Sequence, residues 1–325
     1  MSEVPRIPRI GVLNNLRAGR QGSRVDDILA LLRSHPEVAH EETGSAALLT
    51  RAVGRLAMRD LDVLVVNGGD GTLQHALTEI LERRPFARLP MIAPLRGGRT
   101  NMTALDMGAH RDPVKGLQGL LEDARAGRLA SRIVERPVLR VAFQRGRRVE
   151  YGMFFGVGMI RRAIALTLGV FPEGRSQGGL GAGLVTLALV AKAAFRPRQG
   201  VLAPDKIQIR LDGEGVAAGE FYLSIATTLG RLFWGIDPFW GEGSGPVRFT
   251  CLASNARRIL AMAPGVLWGR PPSFARPENG YTSRRVERAH LLFDSGFTID
   301  GEIFASRPDE VVTLAGDRRL TFLRA

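Results

Sequence analysis

The sequence is poor in cysteine and aromatic residues, and it has no long uninterrupted apolar run. Cys251 is the only cysteine among 325 residues, so no intramolecular disulfide can form and a reducing compartment is favoured. The first residues contain no continuous apolar core of the kind that a secretory signal requires. The longest apolar stretch, residues 180–195, is interrupted by Lys192 and falls short of the ~20 residues of a membrane-spanning helix. We therefore expect a cytoplasmic protein, which this stretch alone cannot anchor in a membrane.

Several common functional signatures are also missing. The five histidines show no metal-ligand spacing, which disfavours a zinc site. There is no Gly-x-Ser-x-Gly sequence and no motif around Cys251, so nucleophilic hydrolase chemistry has little support. No basic run with interleaved aromatic residues resembles a nucleic-acid-binding module. We therefore expect no nucleic-acid partner.

Positive charge is in clear excess. Lys and Arg number 45 against 32 Asp and Glu, giving a net charge of +13. Such a surface attracts polyanions, and nucleic acid, anionic lipid headgroups and a merely solubilising surface are the alternatives. Because no nucleic-acid module is present, the charge favours an anionic lipid surface. The 45% content of hydrophobic residues indicates a globular protein, and the length allows two domains.

The first 130 residues predict an α/β domain built on a mostly parallel sheet, because short β-branched runs alternate with helical periodicity. Residues 10–13 are the first predicted strand. The apolar run at residues 61–66 predicts a strand buried on both faces. Apolar residues then recur at helical spacing from Leu73 to Leu81. Asp112 followed by Pro113 predicts the start of a further helix.

The second half of the sequence is rich in predicted strands, which are joined by turns containing Gly and Arg. One helical insertion is predicted at about residues 179–195. The predicted strands are residues 138–143, 149–155, 207–211, 220–226, 247–252, 291–299 and 311–323.

The most distinctive motif is Gly68-Gly69-Asp70-Gly71-Thr72, between a buried strand and an amphipathic helix. Glycines let the backbone approach a ligand, and amides at a helix N-terminus favour an anion such as phosphate. Asp70 does not suit phosphate, because like charges repel, but it suits a magnesium ion or a proton. A tight strand-to-helix turn capped by Asp70 remains an alternative.

A second loop, Gly97-Gly98-Arg99-Thr100-Asn101, follows the next predicted strand. Open α/β sheets bind ligands at the carboxyl edge of their strands, so the two loops can share one ligand. Arg96 and Arg99 would add positive charge suited to phosphate. Taken alone, this loop is equally compatible with a surface turn that carries solvated arginines.

Together with Asp300-Gly301-Glu302 near the end of the sequence, the two loops resemble, in order and spacing, the diacylglycerol kinase catalytic-domain family. That family includes bacterial lipid kinases and the sphingosine and ceramide kinases. Asn15-Leu16-Arg17-Ala18-Gly19-Arg20 resembles the family's Asn-Pro-x-Ser/Ala-Gly loop, which lies near the nucleotide. The resemblance spans nearly the whole chain.

The resemblance implies an α/β nucleotide-binding domain of the NAD kinase and diacylglycerol kinase type at residues 1–130. It further implies a C-terminal β-sandwich at residues 131–312 that takes the lipid acceptor, with residues 313–325 packing back on the first domain. ATP and Mg²⁺ would bind in the cleft between the domains, and the metal ligands are not assigned. The implied nucleotide-binding residues are Asn15, Gly68, Gly69, Asp70, Gly71, Thr72, Gly97, Gly98, Arg99, Thr100 and Asn101.

The catalytic base is harder to assign, because Asp-Gly-Glu occurs twice. Asp212-Gly213-Glu214 lies between two predicted strands and indicates a hairpin turn. The position of the second copy matches the family, which makes Asp300 the preferred base. Glu302, two positions along a strand, would share a face with Asp300 and tune it or help to hold metal. Asp70 is the rival base, because the related NAD kinases usually assign that role to the aspartate of this motif.

The sequence also departs from the family pattern. Leu16 replaces a proline, Arg99 a threonine and Met102 an aspartate, and Gln74-His75 occupies the region of an Asn-Glu pair. A stretch that the family associates with a structural metal corresponds to Ser244-Gly245-Pro246-Val247, which lacks the carboxylate. The missing carboxylate argues against that metal site, and the departures at Arg99, Met102 and Ser244 leave open a lipid- or nucleotide-binding regulatory protein without strong catalysis.

Two stretches are candidates for lipid contact. Phe233, Trp234, Phe239 and Trp240 concentrate aromatic rings in eight residues, which suits either a membrane interface or the core of the second domain. Residues 180–195 suit either an acyl pocket or an ordinary core helix. The leading interpretation is a kinase of diacylglycerol, with a ceramide or sphingoid base as the next acceptor, acting peripherally at the inner face of an anionic membrane. A soluble-substrate kinase of the NAD kinase type fits less well, and a homodimer is compatible with the sequence.

Overall fold

The computed structural model describes residues 6–17, 23–170, 200–232, 235–307 and 309–325. The predicted insertion at residues 179–195 therefore lies outside the described residues, as do Phe233 and Trp234. The chain divides into two compact units. The first consists of Met1–Arg136 with Arg319–Ala325, and the second of Pro137–Arg318.

The first unit is an α/β domain with a parallel sheet, as the sequence predicts. Its strands are β1 (Ile10–Asn15), β2 (Ala39–Thr43), β3 (Val63–Gly68) and β4 (Met91–Arg96). The strand order is β2-β1-β3-β4, and Phe322, near the end of the sequence, pairs in parallel with Ile92 on β4. Its helices are α1 (Ser23–Arg33), α2 (Ala46–Ala57), α3 (Asp70–Thr78), α4 (Met102–Asp106) and α5 (Pro113–Arg125).

Local sequence explains where these elements lie. Every residue of β3 is buried, which accounts for its nearly uninterrupted apolar sequence. Helix α5 begins at Pro113, and the Asp112 side chain accepts a hydrogen bond from the Val114 amide. Proline suits the first helical position because its missing N–H would have no partner there. Helix α2 is capped in a similar way by Ser45.

The last residues of the sequence complete the core of the first unit. Phe322 and Leu323 are fully buried, and the Arg324 amide donates to the Arg132 carbonyl at 3.0 Å. The Arg132 guanidinium donates in return to the Arg324 carbonyl at 2.7 Å, and the His110 amide donates to the carbonyl of Ala325.

The second unit is built from antiparallel strands, in agreement with the predicted β-rich domain. The strands are β5 (Ile133–Phe143), β6 (Arg148–Gly152), β7 (Phe154–Gly158), β8 (Asp205–Leu211), β9 (Glu214–Thr227), β10 (Val247–Ala253), β11 (Tyr281–Val286), β12 (Arg288–Phe293), β13 (Phe297–Ile299), β14 (Glu302–Phe304) and β15 (Val311–Leu323). Along the sheet the order is β14-β13-β7-β9-β8-β12-β15; β10 and β11 extend from β9, and β5 joins β15 to β6. Two helices, α6 (Met159–Val170) and α7 (Ile259–Leu267), were not predicted.

Phenylalanine rings form the centre of the second unit's core. The ring of Phe297 on β13 lies 5.5 Å from that of Phe143, 5.4 Å from Phe155 and 5.8 Å from Phe293, measured between centroids. The Phe304 ring stacks on it at 5.4 Å. Aromatic pairs at these distances add to the free energy of area burial. This cluster fixes the short hairpin of β13 and β14.

Two of the predicted strands are each two strands, so those predictions were wrong in their length. Residues 149–155 are divided at Met153, because β6 pairs with β5 whereas β7 pairs with β9 and β13. Residues 291–299 are divided at Asp294, Ser295 and Gly296, a polar turn between β12 and β13. In the described part of the chain, no helix has the length and apolar character needed to cross a membrane.

Candidate active site

The two glycine-rich loops meet at the carboxyl edge of the parallel sheet. They follow the adjacent strands β3 and β4, whose ends pair at Gly68 and Arg96. A Cβ added to Gly98 would clash with the Cα of Gly69 and lie 3.0 Å from its nitrogen. A Cβ on Gly97 would lie 2.9 Å from the Gly68 nitrogen. The glycines therefore allow the loops to pack backbone against backbone.

The packing of the two loops explains why glycine occupies these positions, and the sequence did not reveal this explanation. We predicted that they admit a ligand, whereas Gly97 and Gly98 are required by the neighbouring loop itself. A Cβ on Gly68 would lie 2.6 Å from the Cβ of Thr72 within its own loop. Gly69 is less restricted, because its nearest contact would be the Gly98 Cα at 3.3 Å. The two loops thus form one preorganised surface.

The N-terminus of α3 opens at this surface without a side-chain cap. Its N-cap residue is Gly69, which makes no side-chain hydrogen bond. The first amides of a helix have no acceptor within the helix, and the helix dipole adds partial positive charge there. Amides such as those of Gly71 and Thr72 therefore suit an anion, and phosphate is the usual anion at such an end.

Asp70 connects the two loops through its carboxylate. One oxygen accepts a hydrogen bond from the Met102 amide and the other from the Thr103 amide, both at 3.0 Å. Burial raises the pKa of Asp70 above its ordinary value, although these amides stabilise the charged form and act in the opposite direction. Asp70 is thus a cap, but for α4 after the second loop rather than for its own helix.

Asn15 brings a third segment to the loops. Its Nδ2 donates to the Thr72 hydroxyl at 2.7 Å, and its Oδ1 accepts from the Arg17 amide at 3.0 Å. The remaining residues of the predicted loop, 18–20, lie outside the described residues. The asparagine therefore links the end of β1 to the first turn of α3.

Asn101 has a structural role within the second loop. It adopts the left-handed conformation, with φ of 53°. Its side chain accepts from the Gly98 amide at 2.6 Å and donates to the Gly98 carbonyl at 2.7 Å. Arg99 and Thr100 are exposed. Among the described residues, the guanidinium groups of Arg96 and Arg99 have no carboxylate partner, so their charge is available to a ligand.

Two buried asparagines beneath the loops were not predicted as site residues. Asn67 Nδ2 donates to Asn14 Oδ1 at 2.6 Å. Asn14 Nδ2 and Asn67 Oδ1 have no hydrogen-bond partner in the described part of the chain. A buried polar group without a partner is costly and usually has a reason. The available signal was an amide side chain near the end of each of two otherwise apolar strands.

Asp300 lies in the second unit, in the two-residue turn between β13 and β14. Asp300 and Gly301 have φ of 49° and 91°, as an Asp-Gly hairpin turn requires. The buried carboxylate accepts from the Met153 amide at 2.9 Å and from the Phe154 amide at 2.8 Å. A Cβ on Gly152 would lie 2.6 Å from Asp300 Oδ2, so that glycine permits the approach. The Asp300 carboxylate therefore stabilises the backbone at the break between β6 and β7.

The first Asp-Gly-Glu copy forms the same turn in a different environment. Asp212 and Gly213 have φ of 49° and 87° between β8 and β9, so the predicted hairpin is confirmed. Asp212 is exposed, and its carboxylate accepts a hydrogen bond from the Arg288 amide at 2.8 Å. The two aspartates thus differ in burial and in the number of amides they hold, not in backbone conformation.

The expected arrangement of Glu302 was wrong. Asp300 and Glu302 do not lie on one strand face, because the left-handed turn at Asp300 and Gly301 separates them. Glu302 is the first residue of β14 and is exposed. In the part of the chain that the structure describes, no group of three or more His, Cys, Asp or Glu side chains is placed to hold a metal ion. Magnesium bound mainly through substrate phosphates and water needs only one or two protein carboxylates.

The described part of the aromatic stretch packs inside the second unit. Phe239 is buried, with the Arg248 guanidinium 5.0 Å from its ring centroid. Trp240 is half-buried against a small cluster that includes Met262 and Tyr281. The core alternative therefore applies to these two residues.

Comparison with known proteins agrees with the resemblance seen in the sequence. Residues 9–131 match the family model for the diacylglycerol kinase catalytic domain. A candidate diacylglycerol kinase from Bacillus anthracis strain Sterne has a similar structure, with 16% identity, a TM-score of 0.68, and coverage of 100% of this chain and 99% of that chain. A second diacylglycerol kinase structure from the same organism has 15% identity and a TM-score of 0.62 over 99% and 98% of the two chains.

Yeast NADH kinase, solved with NADH, is more distant, at 12% identity and a TM-score of 0.53 over 98% of this chain and 84% of that one. A search of curated protein sequences returns no significant match. Identities this low show the fold alone, whereas the family model matches the sequence itself. Residues 9–131 therefore match the diacylglycerol kinase catalytic-domain model in sequence, and along its whole length the chain shares its fold with these structures.

Proposed function

We propose that this protein is an ATP-dependent lipid kinase that transfers the γ-phosphate of ATP to the hydroxyl of a membrane lipid, with diacylglycerol as the first candidate. The observation that carries the proposal is the joined pair of glycine loops at the uncapped N-terminus of α3. That surface offers a polyphosphate backbone amides and two arginines that have no carboxylate partner within the described ranges. The catalytic-domain match supports kinase chemistry at the same residues.

The triphosphate would be held by backbone and charge. The first amides of α3 would bind phosphate oxygens, with Arg96 and Arg99 adding positive charge. Asn15 and Asn101 would keep the loops in place through the hydrogen bonds described above. Mg²⁺ would neutralise charge on the transferred and leaving phosphate oxygens. Asp70 is the carboxylate of this region that fits a metal ligand, because each bonded oxygen keeps further acceptor capacity.

The lipid hydroxyl needs a base, and two carboxylates compete for that role. Asp300 has the family position and is held by two amides, which fixes its orientation. Burial raises the pKa of Asp70, which favours this carboxylate as a proton acceptor. We retain Asp300 as the proposed base and Asp70 as its rival, with Glu302 as a neighbour that can influence Asp300 through charge.

The substrate test is phosphate transfer from γ-labelled ATP to a panel of lipids in mixed micelles, with the products separated by chromatography. Labelled phosphatidic acid from diacylglycerol is the expected product. If labelled ceramide phosphate or sphingoid-base phosphate forms instead, the reaction type is the same and the acceptor lipid is a different one.

A regulatory protein on the same fold is the second candidate, because both candidate bases are engaged by backbone amides. It predicts that ATP binds, by equilibrium dialysis, while no lipid is labelled. If neither binding nor transfer is found with folded protein, the kinase proposal fails. Gly98→Ala, which disturbs the joined loops, and Gly54→Ala, where a Cβ meets nothing within 4 Å, form a matched pair for both measurements.

A further inference from the structure

Helix α7 gives the second unit an exposed apolar surface. Its nine residues, Ile259–Leu267, include no charged or hydrogen-bonding side chain. Leu260 is 80% exposed, Leu267 is 38% exposed, and Trp268, which follows directly, is 58% exposed. Single exposed apolar side chains are common, but several within one short segment mark an interaction site.

The opposite side of α7 is anchored, so the exposure does not reflect a loose segment. Met262 is buried with Tyr281 and Ala275, and Val266 and Trp240 pack against the same cluster. The Leu267 carbonyl accepts a hydrogen bond from the Asp237 amide at 2.8 Å. The helix therefore holds its outer residues in a fixed orientation toward the solvent.

Arginines flank this apolar segment along the sequence. Arg257, Arg258, Arg270 and Arg276 are all exposed, and none of them forms an ion pair within the described residues. Arg258 instead lies over the Phe274 ring, with its guanidinium carbon 4.8 Å from the ring centroid. Glu278 is the one acidic residue between positions 255 and 280. The exposed apolar residues are thus bordered in sequence by exposed positive charge.

We propose that α7 and Trp268 dock the protein on an anionic membrane. Leu260, Leu267 and Trp268 would enter the boundary between headgroups and acyl chains, where tryptophan is favoured. The flanking arginines would pair with lipid phosphates and gain from the negative surface potential. The inference rests on the proposed kinase function, because that membrane would supply the acceptor lipid.

Two features favour a membrane over other partners. The same surface on a second copy would place arginines against arginines in a symmetric dimer, which like charges disfavour. Pro264 lies inside the helix and has no N–H, so it cannot donate to the carbonyl of Leu260. A helical carbonyl that lacks its usual donor tolerates the hydrated interface better than the hydrocarbon core. The helix therefore suits shallow docking.

The main test compares two double variants on vesicles of phosphatidylcholine with and without about one third phosphatidylglycerol. Leu260→Gln/Trp268→Gln removes the proposed contacts. Ile7→Gln/Met58→Gln changes residues of matched exposure in the first unit, 60% and 79%. We expect at least a tenfold loss of binding to anionic vesicles for the first variant and none for the second. Circular dichroism should show that both remain folded.

Two further measurements resolve the contact. The emission difference between wild type and Trp268→Phe should shift to the blue on anionic vesicles. Arg257→Gln/Arg270→Gln should weaken binding and reduce its dependence on salt, because the remaining attraction is less electrostatic. If Leu260→Gln/Trp268→Gln binds anionic vesicles as tightly as the wild-type protein does, the proposal is overturned. So would a change from dimer to monomer in that variant with unchanged vesicle binding, since the surface would then be a protein interface.

Failure of docking and failure of the kinase proposal remain distinguishable. Turnover of a short-chain, water-soluble diacylglycerol does not require a membrane. If the α7 variant loses vesicle binding and keeps this turnover, docking is supported and the kinase function stands. If wild type binds vesicles through α7 but phosphorylates neither soluble nor vesicle lipid, docking is supported and the kinase function fails.

Discussion

Replacing Asp300 with asparagine tests both the structural and the chemical role of this carboxylate. Each carboxylate oxygen accepts one backbone amide, from Met153 at 2.9 Å and from Phe154 at 2.8 Å. Asparagine has one acceptor oxygen and presents an NH₂ group where the second oxygen was. One buried amide would therefore lose its acceptor and face another donor. Leaving a buried donor unsatisfied costs about 1–3 kcal/mol.

Asp212→Asn is the matched control, because the same turn is solvent-exposed there. The Asp212 carboxylate accepts a hydrogen bond from the Arg288 amide, which an asparagine oxygen can keep. Asparagine also tolerates the left-handed conformation. We expect a change in unfolding free energy within about 0.5 kcal/mol. For Asp300→Asn we expect a loss of about 2 kcal/mol, which corresponds to a fall in Tm of roughly 4–8 °C.

Urea unfolding followed by circular dichroism gives the stability, and lipid-kinase assays on the same preparations give the rate. Below the unfolding transition, Asp300→Asn should lower kcat by roughly 100- to 10,000-fold if Asp300 is the base, with ATP affinity nearly unchanged. Stability equal to wild type in Asp300→Asn would refute the two-amide argument. Normal turnover by folded Asp300→Asn would transfer the role of base to Asp70, whereas loss of activity in Asp212→Asn would overturn the assignment of the two copies.

Three other outcomes are expected. Gly98→Ala should weaken binding of a fluorescent ATP analogue by about tenfold or more, because its Cβ crowds the neighbouring loop. The control, Gly54→Ala in α2, should bind the analogue normally, and its free energy of unfolding should rise by roughly 0.5 kcal/mol. Asn15→Ala removes the bond to Thr72 and should cost about 1 kcal/mol; unchanged nucleotide affinity would count against its role in the loop. Burial raises the pKa of the Cys251 thiol to about 12, so at pH 8 it should react with a thiol reagent only after unfolding in urea.

Local signals in the sequence identified much of the first unit. Apolar β-branched runs and the Asp112-Pro113 pair mark elements through interactions between residues close in sequence, and such patterns are read directly. The approach of Gly98 to Gly69 was not visible, because it depends on the pairing of β3 with β4. We therefore interpreted the glycines as making room for a ligand, and the contact between the two loops was not predicted.

Other features could not be predicted from the sequence, for similar reasons. Asp212 and Asp300 share both a tripeptide and a backbone conformation. Burial and the amides of Met153 and Phe154, which are distant in sequence, distinguish the environment of Asp300. Helix α7 has apolar residues on both faces and Pro264 inside it, so its sequence lacks the periodicity of a surface helix. The exposure of the Leu260 side chain depends on how the second unit packs around the helix, and the local sequence does not determine it.

The route of β15 has a consequence for biosynthesis. Its first residues pair with β12 in the second unit, whereas Phe322 pairs with β4 and, with Leu323, fills the core of the first unit. A ribosome delivers these residues only after the whole second unit has been made. Until then the nascent first unit lacks the residues that fill its core beside β4. During that interval β4 is an unpaired sheet edge, and an exposed edge of this kind can pair with other chains and promote aggregation.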